Sequence, residues 1–454
     1  MYRKYEKIHF VGIGGVGMSG IAEVLNNLGY VISGSDLRES EITGRLGKLG
    51  ITVEIGHKAE NVKGADIVVI SSAVNAVNPE VTAARDLSIP VIPRAEMLAE
   101  LARLKYGILV AGTHGKTTTT SLIASVLALG GVDPTVVIGG KLKDIGSNAR
   151  LGQGEFLVAE ADESDGSFLR LAPAISIVTN IDREHMDFYR DINGLKKAFL
   201  SFINKVPFYG ISILCGDDVY IKELLPEVQR RVTTYGLGSG LDLVVVNIRT
   251  EGFKSVFEAE LHKVSLGTFE VPLIGSHNVC NSLAAIAVAH ELGIEMETVR
   301  EALAGFSGVQ RRFESKGSVS GISVIDDYGH HPTEIMATLR ALKESGIGER
   351  LVVLFQPHRY SRTRDLLEDF FFAFTDADKV VLIDIYPAGE KPLKGINSEI
   401  LFAGIRNAGK DVDYIRSRDE VLDCLKRELK EGDALLTLGA GDVWKIGEEF
   451  IKNN

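Results

Sequence analysis

Cysteine is nearly missing: three in 454 residues, Cys215, Cys280 and Cys424, far apart and odd in number. That excludes a disulfide framework and offers no cysteine-based metal site, so each thiol is expected to be core packing. No apolar run approaches the ~18 residues needed to cross a membrane. Even residues 121–131 make only a short helix's worth. Positive charge is not in excess either, since 50 Lys and Arg stand against 61 Asp and Glu, a formal net charge of −11 with a pI near 5.5. This argues against nucleic acid or an anionic membrane surface as a partner held by bulk charge, although local basic clusters can still grip phosphates. Residues 1–7 are charged but run straight into a strand-like segment, with no apolar region and cleavage site between. No signal peptide and no membrane insertion are expected, and the expected location is the cytoplasm. Low-complexity tracts and solenoid-like repeats do not occur.

What is present is the make-up of an ordinary folded protein, with 45% hydrophobic and 24% charged residues. At about 100 to 200 residues per domain, the length suits three compact units. The 48 glycines exceed the usual share of about 7% and favour tight turns or ligand loops lined by backbone. Strand and helix signals alternate through residues 7–104, restart at the strand 106–112 and helix 116–129, and restart again near 322. Residues 241–274 show shorter runs of hairpin character, with breaks expected at Glu251-Gly252 and Leu266-Gly267, and the next helix is expected from about residue 281. The fold expected is α/β in three domains. They are an N-terminal Rossmann-like domain (1–104), a central phosphate-loop mononucleotide domain with additional antiparallel β structure (105–312) and a C-terminal Rossmann-like domain (313–454).

Two glycine loops carry the chemistry. Gly12-Ile13-Gly14-Gly15-Val16-Gly17 fits G-x-G-x-x-G between a strand and a helix, and Asp36 ends the next strand about 20 residues on. Such glycines let backbone approach a diphosphate at a helix N-terminus. A nicotinamide dinucleotide and a UDP-sugar both carry that group. The second loop, Gly112-Thr113-His114-Gly115-Lys116-Thr117, continues into Thr118, Thr119 and Thr120 and also joins a strand to a helix. Backbone amides would surround phosphates, Lys116 would face the β and γ oxygens from a solvent-facing position, and a hydroxyl would meet Mg²⁺. The loop is shorter than G-x-x-x-x-G-K-[ST], because Val110 stands where the first glycine would be. Four successive β-branched threonines are poor helix starters, which an ordinary turn would not explain.

The string Gly112 to Thr120, preceded by His9-Phe10-Val11-Gly12-Ile13-Gly14-Gly15-Val16-Gly17-Met18, resembles the Mur ligase family, and within it the member that adds L-alanine. Further matches follow in order: Ala159-Glu160-Ala161-Asp162-Glu163-Ser164-Asp165, Thr179 to Asp187, Gly275-Ser276-His277-Asn278 with Asn281, Gln310 to Glu314, Asp326 to Glu334, Gln356 to Arg362, and Gly439-Ala440-Gly441-Asp442. The resemblance spans essentially the whole chain. It implies ATP-dependent joining of L-alanine to UDP-N-acetylmuramate, with ATP and Mg²⁺ required. A related activity, reattachment of recycled murein peptide to the same nucleotide, shares many of these motifs. The oligomeric state is left open.

The same resemblance assigns roles. Lys116 would contact the β and γ phosphates, with Gly112, Thr113, His114, Gly115, Thr117 and Thr118 around them, and Thr117, Glu160 and His185 would hold the metal. His277, Asn278 and Asn281 would meet adenine, Asp327 the ribose and Arg312 a phosphate. His330, Arg359 and Arg362 would receive the amino acid, with Tyr328 and His358 beside them. Gly12, Gly14, Gly15, Gly17, Met18, Ser35, Asp36, Ser71 and Ser72 would hold the UDP-sugar. Plainer readings stand next to these. A lone histidine such as His185 is usually structural, Asp162 and Asp165 suit a solvated turn, an Asn near a helix start is often a cap, and surface arginines commonly bind nothing. The bidentate fit of guanidinium to carboxylate favours the amino-acid role for Arg359 and Arg362. Lys196 and Lys197 lie too close to His185 for the carbamylated lysine of related ligases and receive no role. A dehydrogenase built on Gly12–Gly17 leaves the second loop unexplained, and a regulatory module leaves unexplained Lys116, Thr117, Glu160 and His185 together.

Overall fold

The computed structural model describes residues 5–71, 73–140 and 148–453. Three sheets carry it. The first runs Thr52–Ile55, Val31–Asp36, Lys7–Val11, Ile67–Ile70, Val91–Pro93, all parallel. Its order reverses beside Lys7–Val11, so the Gly12–Gly17 turn leaves the sheet at the switch point where α/β folds take ligands. Short apolar strands such as Ile67–Ile70, bounded by helices, give the near-continuous burial a parallel sheet requires.

The second sheet runs Val264–Val271, Lys254–Leu261, Leu243–Glu251, Val232–Gly236, Ile211–Cys215, Ile175–Val178, Tyr106–Ala111, Phe156–Glu160, Thr135–Val137, Ala149–Arg150. Tyr106–Ala111 sits between Ile175–Val178 and Phe156–Glu160, parallel to both. The ends of all three therefore converge on the phosphate loop. The turn at Gly252, φ +59, matches the expected hairpin break. The second expected break does not form. Gly267 lies inside the strand Val264–Val271, with φ +86, while the chain reverses at His262 and Lys263, both at positive φ. A glycine inside a strand marks an irregularity as readily as a turn.

The third sheet runs Glu314–Val319, Ile322–Asp327, Asp433–Leu438, Arg350–Phe355, Lys379–Leu382, Val412–Tyr414. It is parallel except for the edge strand Glu314–Val319. Its two faces bury separate apolar layers, one around Val353, Phe355, Phe370 and Phe374, the other around Val352, Leu354, Leu425 and Phe450. By contact the chain forms two compact units, Met1–Asn247 with Glu258–Phe269 and Cys280–Ser307, and Ile248–Phe257 with Glu270–Val279 and Gly308–Asn454. Among the described residues no helix is long and apolar enough to cross a membrane. Cys215 and Cys424 are buried as expected, and Cys280 is half-buried.

Candidate active site

In the first unit, Tyr106–Ala111 delivers the chain into Gly112, at φ +131, where a Cβ would collide with the Thr179 hydroxyl and crowd Asn180. Gly115, at φ +81, caps the helix Lys116–Leu129, and a Cβ there would meet Asn281 Oδ1. Both positions therefore require glycine by conformation and by space. The segment after Ile175–Val178 fastens the loop. His114 N donates to Asn180 Oδ1 at 2.8 Å, Asn180 Nδ2 donates back to His114 O at 3.0 Å, and the Thr179 hydroxyl donates to His114 O at 2.6 Å. Asp182 N donates to Thr113 Oγ1, and Asp182 Oδ2 lies 3.0 Å from His114 Nε2.

The threonine run becomes helical by turning its hydroxyls inward. Thr120 Oγ1 donates to Lys116 O, four residues back, and Thr119 Oγ1 donates to Asn281 Oδ1 at 3.0 Å. Back-bonding of this kind lets a β-branched polar residue sit in a buried helix. Asn281 is thereby brought to the phosphate loop. Thr117 and Thr118 are buried in the first turn, and among the described residues the Thr117 hydroxyl makes no hydrogen bond.

Lys116 corrects an expectation. It is not solvent-facing: its side chain is 16% exposed, and Nζ donates to Glu163 Oε1 and Oε2 at 3.0 and 2.9 Å and to Gly112 O and Thr113 O. Burial alone would lower the ammonium's pKa, but Glu163, Asp162 and Glu160 outweigh it and hold it above the ordinary lysine range. Glu163, only 1% exposed, is the partner that the sequence reading left in an acidic run without a role. His185, at φ +60 before Met186–Tyr189, puts Nε2 3.9 Å from Glu163 Oε1. Glu160 ends its strand with Oε1 accepting from Gly139 N at 2.6 Å. Lys116, Glu163 and His185 thus come together, with Glu160 near enough to favour the charged form of Lys116.

At the other glycine turn, Gly12 N and Ile13 N donate to Ser35 O, and Gly14 N donates to Asp36 Oδ2 at 2.8 Å. Gly15 caps the helix Val16–Asn27, and Gly17 lies under the Arg94 guanidinium. Met18 and Ser35 turn inward. Ser71 Oγ accepts from Ala73 N, and Ser72 lies outside the described residues.

In the second unit, Asp327 ends its strand with Oδ2 accepting from Phe313 N and Oδ1 from Gly329 N, both at 2.7 Å. Burial is the largest influence on this carboxyl and, against Arg312, pushes its pKa up to about 6. Arg312 lies over the Tyr328 ring, 3.8 Å from Glu334. Around the residues expected to receive the amino acid, His330 Nδ1 is 3.0 Å from Tyr328 O, and its ring is 5.6 Å from that of His358. His358 stacks on Tyr386, and Arg362 Nη1 donates to His358 O at 3.2 Å. Arg359, at φ +71, donates its amide to Tyr386 O and precedes the short helix Tyr360–Asp365. His330, His358 and Arg362 are therefore neighbours, with Arg359 on the adjoining turn. The helix carrying His277 and Asn278 begins at Ser276, five residues before the expected start at 281. Asn278 Nδ2 donates to Ile274 O, and burial lowers the His277 imidazole to about 4.

Two phosphate-type loops, each at the carboxyl end of a parallel strand in successive sheets and the second ringed by a lysine, carboxylates and a histidine, define a nucleotide-dependent ligase of the Mur type. The chain belongs to the Mur ligase family: it matches the family's catalytic domain over residues 7–106, the middle domain over 110–289 and the glutamate ligase domain over 311–441. It is 60% identical over 452 residues to a UDP-N-acetylmuramate–L-alanine ligase of Geobacter sp. (strain M21), covering 99% of this chain and 98% of that one. The crystal structure of a UDP-N-acetylmuramate-alanine ligase from Thermotoga maritima superposes with a TM-score of 0.84 at 31% identity, covering 98% of both chains. A murein peptide ligase from Psychrobacter arcticus shares the fold with a TM-score of 0.72 at 24% identity, covering 98% of both chains.

Proposed function

We propose that this enzyme joins L-alanine to the carboxylate of UDP-N-acetylmuramate at the expense of ATP, in the cytoplasm, as a step of peptidoglycan synthesis. The observation that carries this is the 60% identity, over nearly the full length, to a ligase of that name. The peptide-recycling alternative rests on more distant neighbours, at 24% identity over 98% of this chain and 29% over 68% of it. Three domains, 1–104, 105–312 and 313–454, are the division that the three family matches support.

Thr117, Glu160 and His185 would hold Mg²⁺. The donor set fits, because the Glu160 carboxylate, which accepts from Gly139 N, and the Thr117 hydroxyl, which has no partner among the described residues, are the oxygen ligands this cation prefers, the imidazole being the less usual member. When bound, the ion would supply positive charge at the transferred phosphoryl group. Lys116, kept charged by its carboxylate neighbours, exchanges Glu163 for β and γ phosphate oxygens. The substrate carboxylate attacks the γ-phosphorus, giving an acyl phosphate and ADP. The neutral amine of L-alanine then attacks the acyl carbon, the C–O bond to phosphate breaks, and the proton shed by the nitrogen leaves with the phosphate or to solvent. Charge on the phosphoryl group is met by a preplaced ammonium, which is how phosphoryl transfer gains most of its rate. Asp327 takes the ribose, Arg312 a phosphate, and His277, Asn278 and Asn281 the adenine. His330, Arg359 and Arg362 receive the amino acid, the guanidinium fork matching its carboxylate.

Phosphate release with ATP, Mg²⁺ and UDP-N-acetylmuramate tests this reading. Release is expected to require L-alanine. A stronger response to a murein tripeptide than to L-alanine sinks the reading in favour of peptide recycling.

A further inference from the structure

Arg94 has no role so far. The strand Val91–Pro93 pairs in parallel with Ile67–Ile70, which pairs with Lys7–Val11. Arg94 opens the helix Arg94–Ala102 directly after that strand, so it leaves the sheet at the same edge as the glycine turn. Its guanidinium reaches back over that turn, and a Cβ on Gly17 would come within 2.7 Å of Arg94 Nη1. On the other side, Nη2 lies 3.4 Å from Asp162 Oδ2, with the two side chains 27% and 41% exposed. Among the described residues Arg94 makes no other hydrogen bond or ion pair.

A guanidinium has five N–H donors in a planar fork. One long, half-exposed contact leaves most of them unused, and exposed pairs of this kind contribute little to stability. Asp162 also feels the charge of Lys116. The sequence of charges therefore runs Arg94, Asp162, Lys116, from the diphosphate-type turn to the ATP loop. The reaction needs a cation there, because a UDP-sugar brings two phosphates toward a site that must also admit ATP. We propose that Arg94 is a substrate-binding residue that takes the diphosphate of the UDP-sugar across Gly17, releasing Asp162 as it does so.

This assignment rests on the UDP-sugar reading above and adds a residue to it. It also gives a reason for glycine at position 17 that backbone freedom does not supply: a side chain would displace the guanidinium. The oxyanion met by Arg94 has two sources in the proposed substrate, the diphosphate and the muramyl carboxylate. The nearness of Gly17 favours the diphosphate.

Binding of UDP, UDP-N-acetylglucosamine, UDP-N-acetylmuramate and ADP, measured by titration calorimetry on wild type, Arg94→Ala and Arg94→Lys, tests the assignment. All three uridine ligands are expected to weaken about tenfold or more in both variants, since lysine keeps the charge but loses the fork. ADP affinity is expected to be unchanged. The side chain lies at the surface and leaves no core cavity, and thermal melts of both variants check folding. Loss confined to UDP-N-acetylmuramate moves Arg94 to the carboxylate and overturns the diphosphate assignment. Unchanged uridine binding in the variants overturns it too, as does an equal loss of ADP. If wild type itself binds none of the uridine ligands, the functional reading fails first and takes this assignment with it.

Discussion

The carboxylate of Glu80, wholly buried, accepts the hydroxyl of Ser35 at 2.6 Å. Asn61 Nδ2 donates to its other oxygen at 2.5 Å, His57 Nδ1 lies 3.1 Å away, and His9 Nε2 3.8 Å away. Because Ser35 O receives the amides of Gly12 and Ile13, the glycine turn is anchored on a strand that Glu80 anchors in turn.

Burial alone would raise the pKa of Glu80, but the His9 imidazole nearby and the hydrogen bonds from Ser35 and Asn61 outweigh it and hold it at about 2 against an ordinary 4.5. A depressed carboxylate contributes stability that is complete above its unfolded pKa and is lost as pH falls through the folded one. The window is therefore about pH 4.5 down to 2, and the contribution is about 3 kcal/mol at most. Glu80→Gln is expected to unfold at lower urea at pH 7 and to show a flatter acid limb through that window. An unchanged acid limb removes Glu80 from the account of acid stability.

Lys116→Ala is expected to abolish phosphate release and, because it strands the buried Glu163 carboxylate, to cost about 3–5 kcal/mol in denaturant melts. Adding Glu163→Gln is expected to restore most of the stability and none of the turnover. Additive losses in the double variant would show that the two residues are not coupled.

Glu160→Gln keeps an oxygen for Gly139 N and removes one negative charge. Its half-saturating Mg²⁺ concentration for turnover is expected to rise about tenfold, the effect of losing roughly 1.4 kcal/mol, with the thermal midpoint unchanged. A superimposable Mg²⁺ titration removes Glu160 from the ligand set.

For Arg359→Lys, steady-state kinetics are expected to show L-alanine KM raised about tenfold or more, from a lost charge-assisted fork worth about 1.5 to 3 kcal/mol. The KM values for ATP and the UDP-sugar are expected to hold. A rise in ATP KM with L-alanine KM unchanged moves Arg359 to the nucleotide site.

The α/β alternation, both glycine loops and their place between strand and helix were readable in the sequence, because glycine and apolar spacing are local signals. Pairings were not. Glu163 reads as one more acid in a solvated run, yet it is nearly inaccessible and holds Lys116. Arg94 carries no signal in the sequence, and the glycine it overhangs is 77 positions away in the chain. Glu80 looks like an ordinary first-turn acid after the Asn78 cap, and only the tertiary fold sets it against Ser35 and Asn61. The helix carrying His277 was expected too late because Ser276, His277 and Asn278 are weak helix formers, held here as an N-terminal turn in which Asn278 reaches Ile274 O. Gly267 reads as a turn because composition cannot separate a reversal from an irregular strand residue.

Arg311, Phe313 and Arg359 share a left-handed backbone, at φ +61, +47 and +71, which costs a side-chain-bearing residue of the order of 1 kcal/mol or more each. Surrounding bonds hold each of them there, for example Arg311 on Asp326, Gly439 O and Gly441 O. Selection for heat resistance alone would therefore find glycine attractive at position 359, where it relieves the backbone and discards the guanidinium. On the role proposed for Arg359, variants recovered by melting temperature and variants recovered by growth should diverge at that residue, and a program of thermal improvement that ignores turnover would drift toward a sturdier protein that has lost that guanidinium.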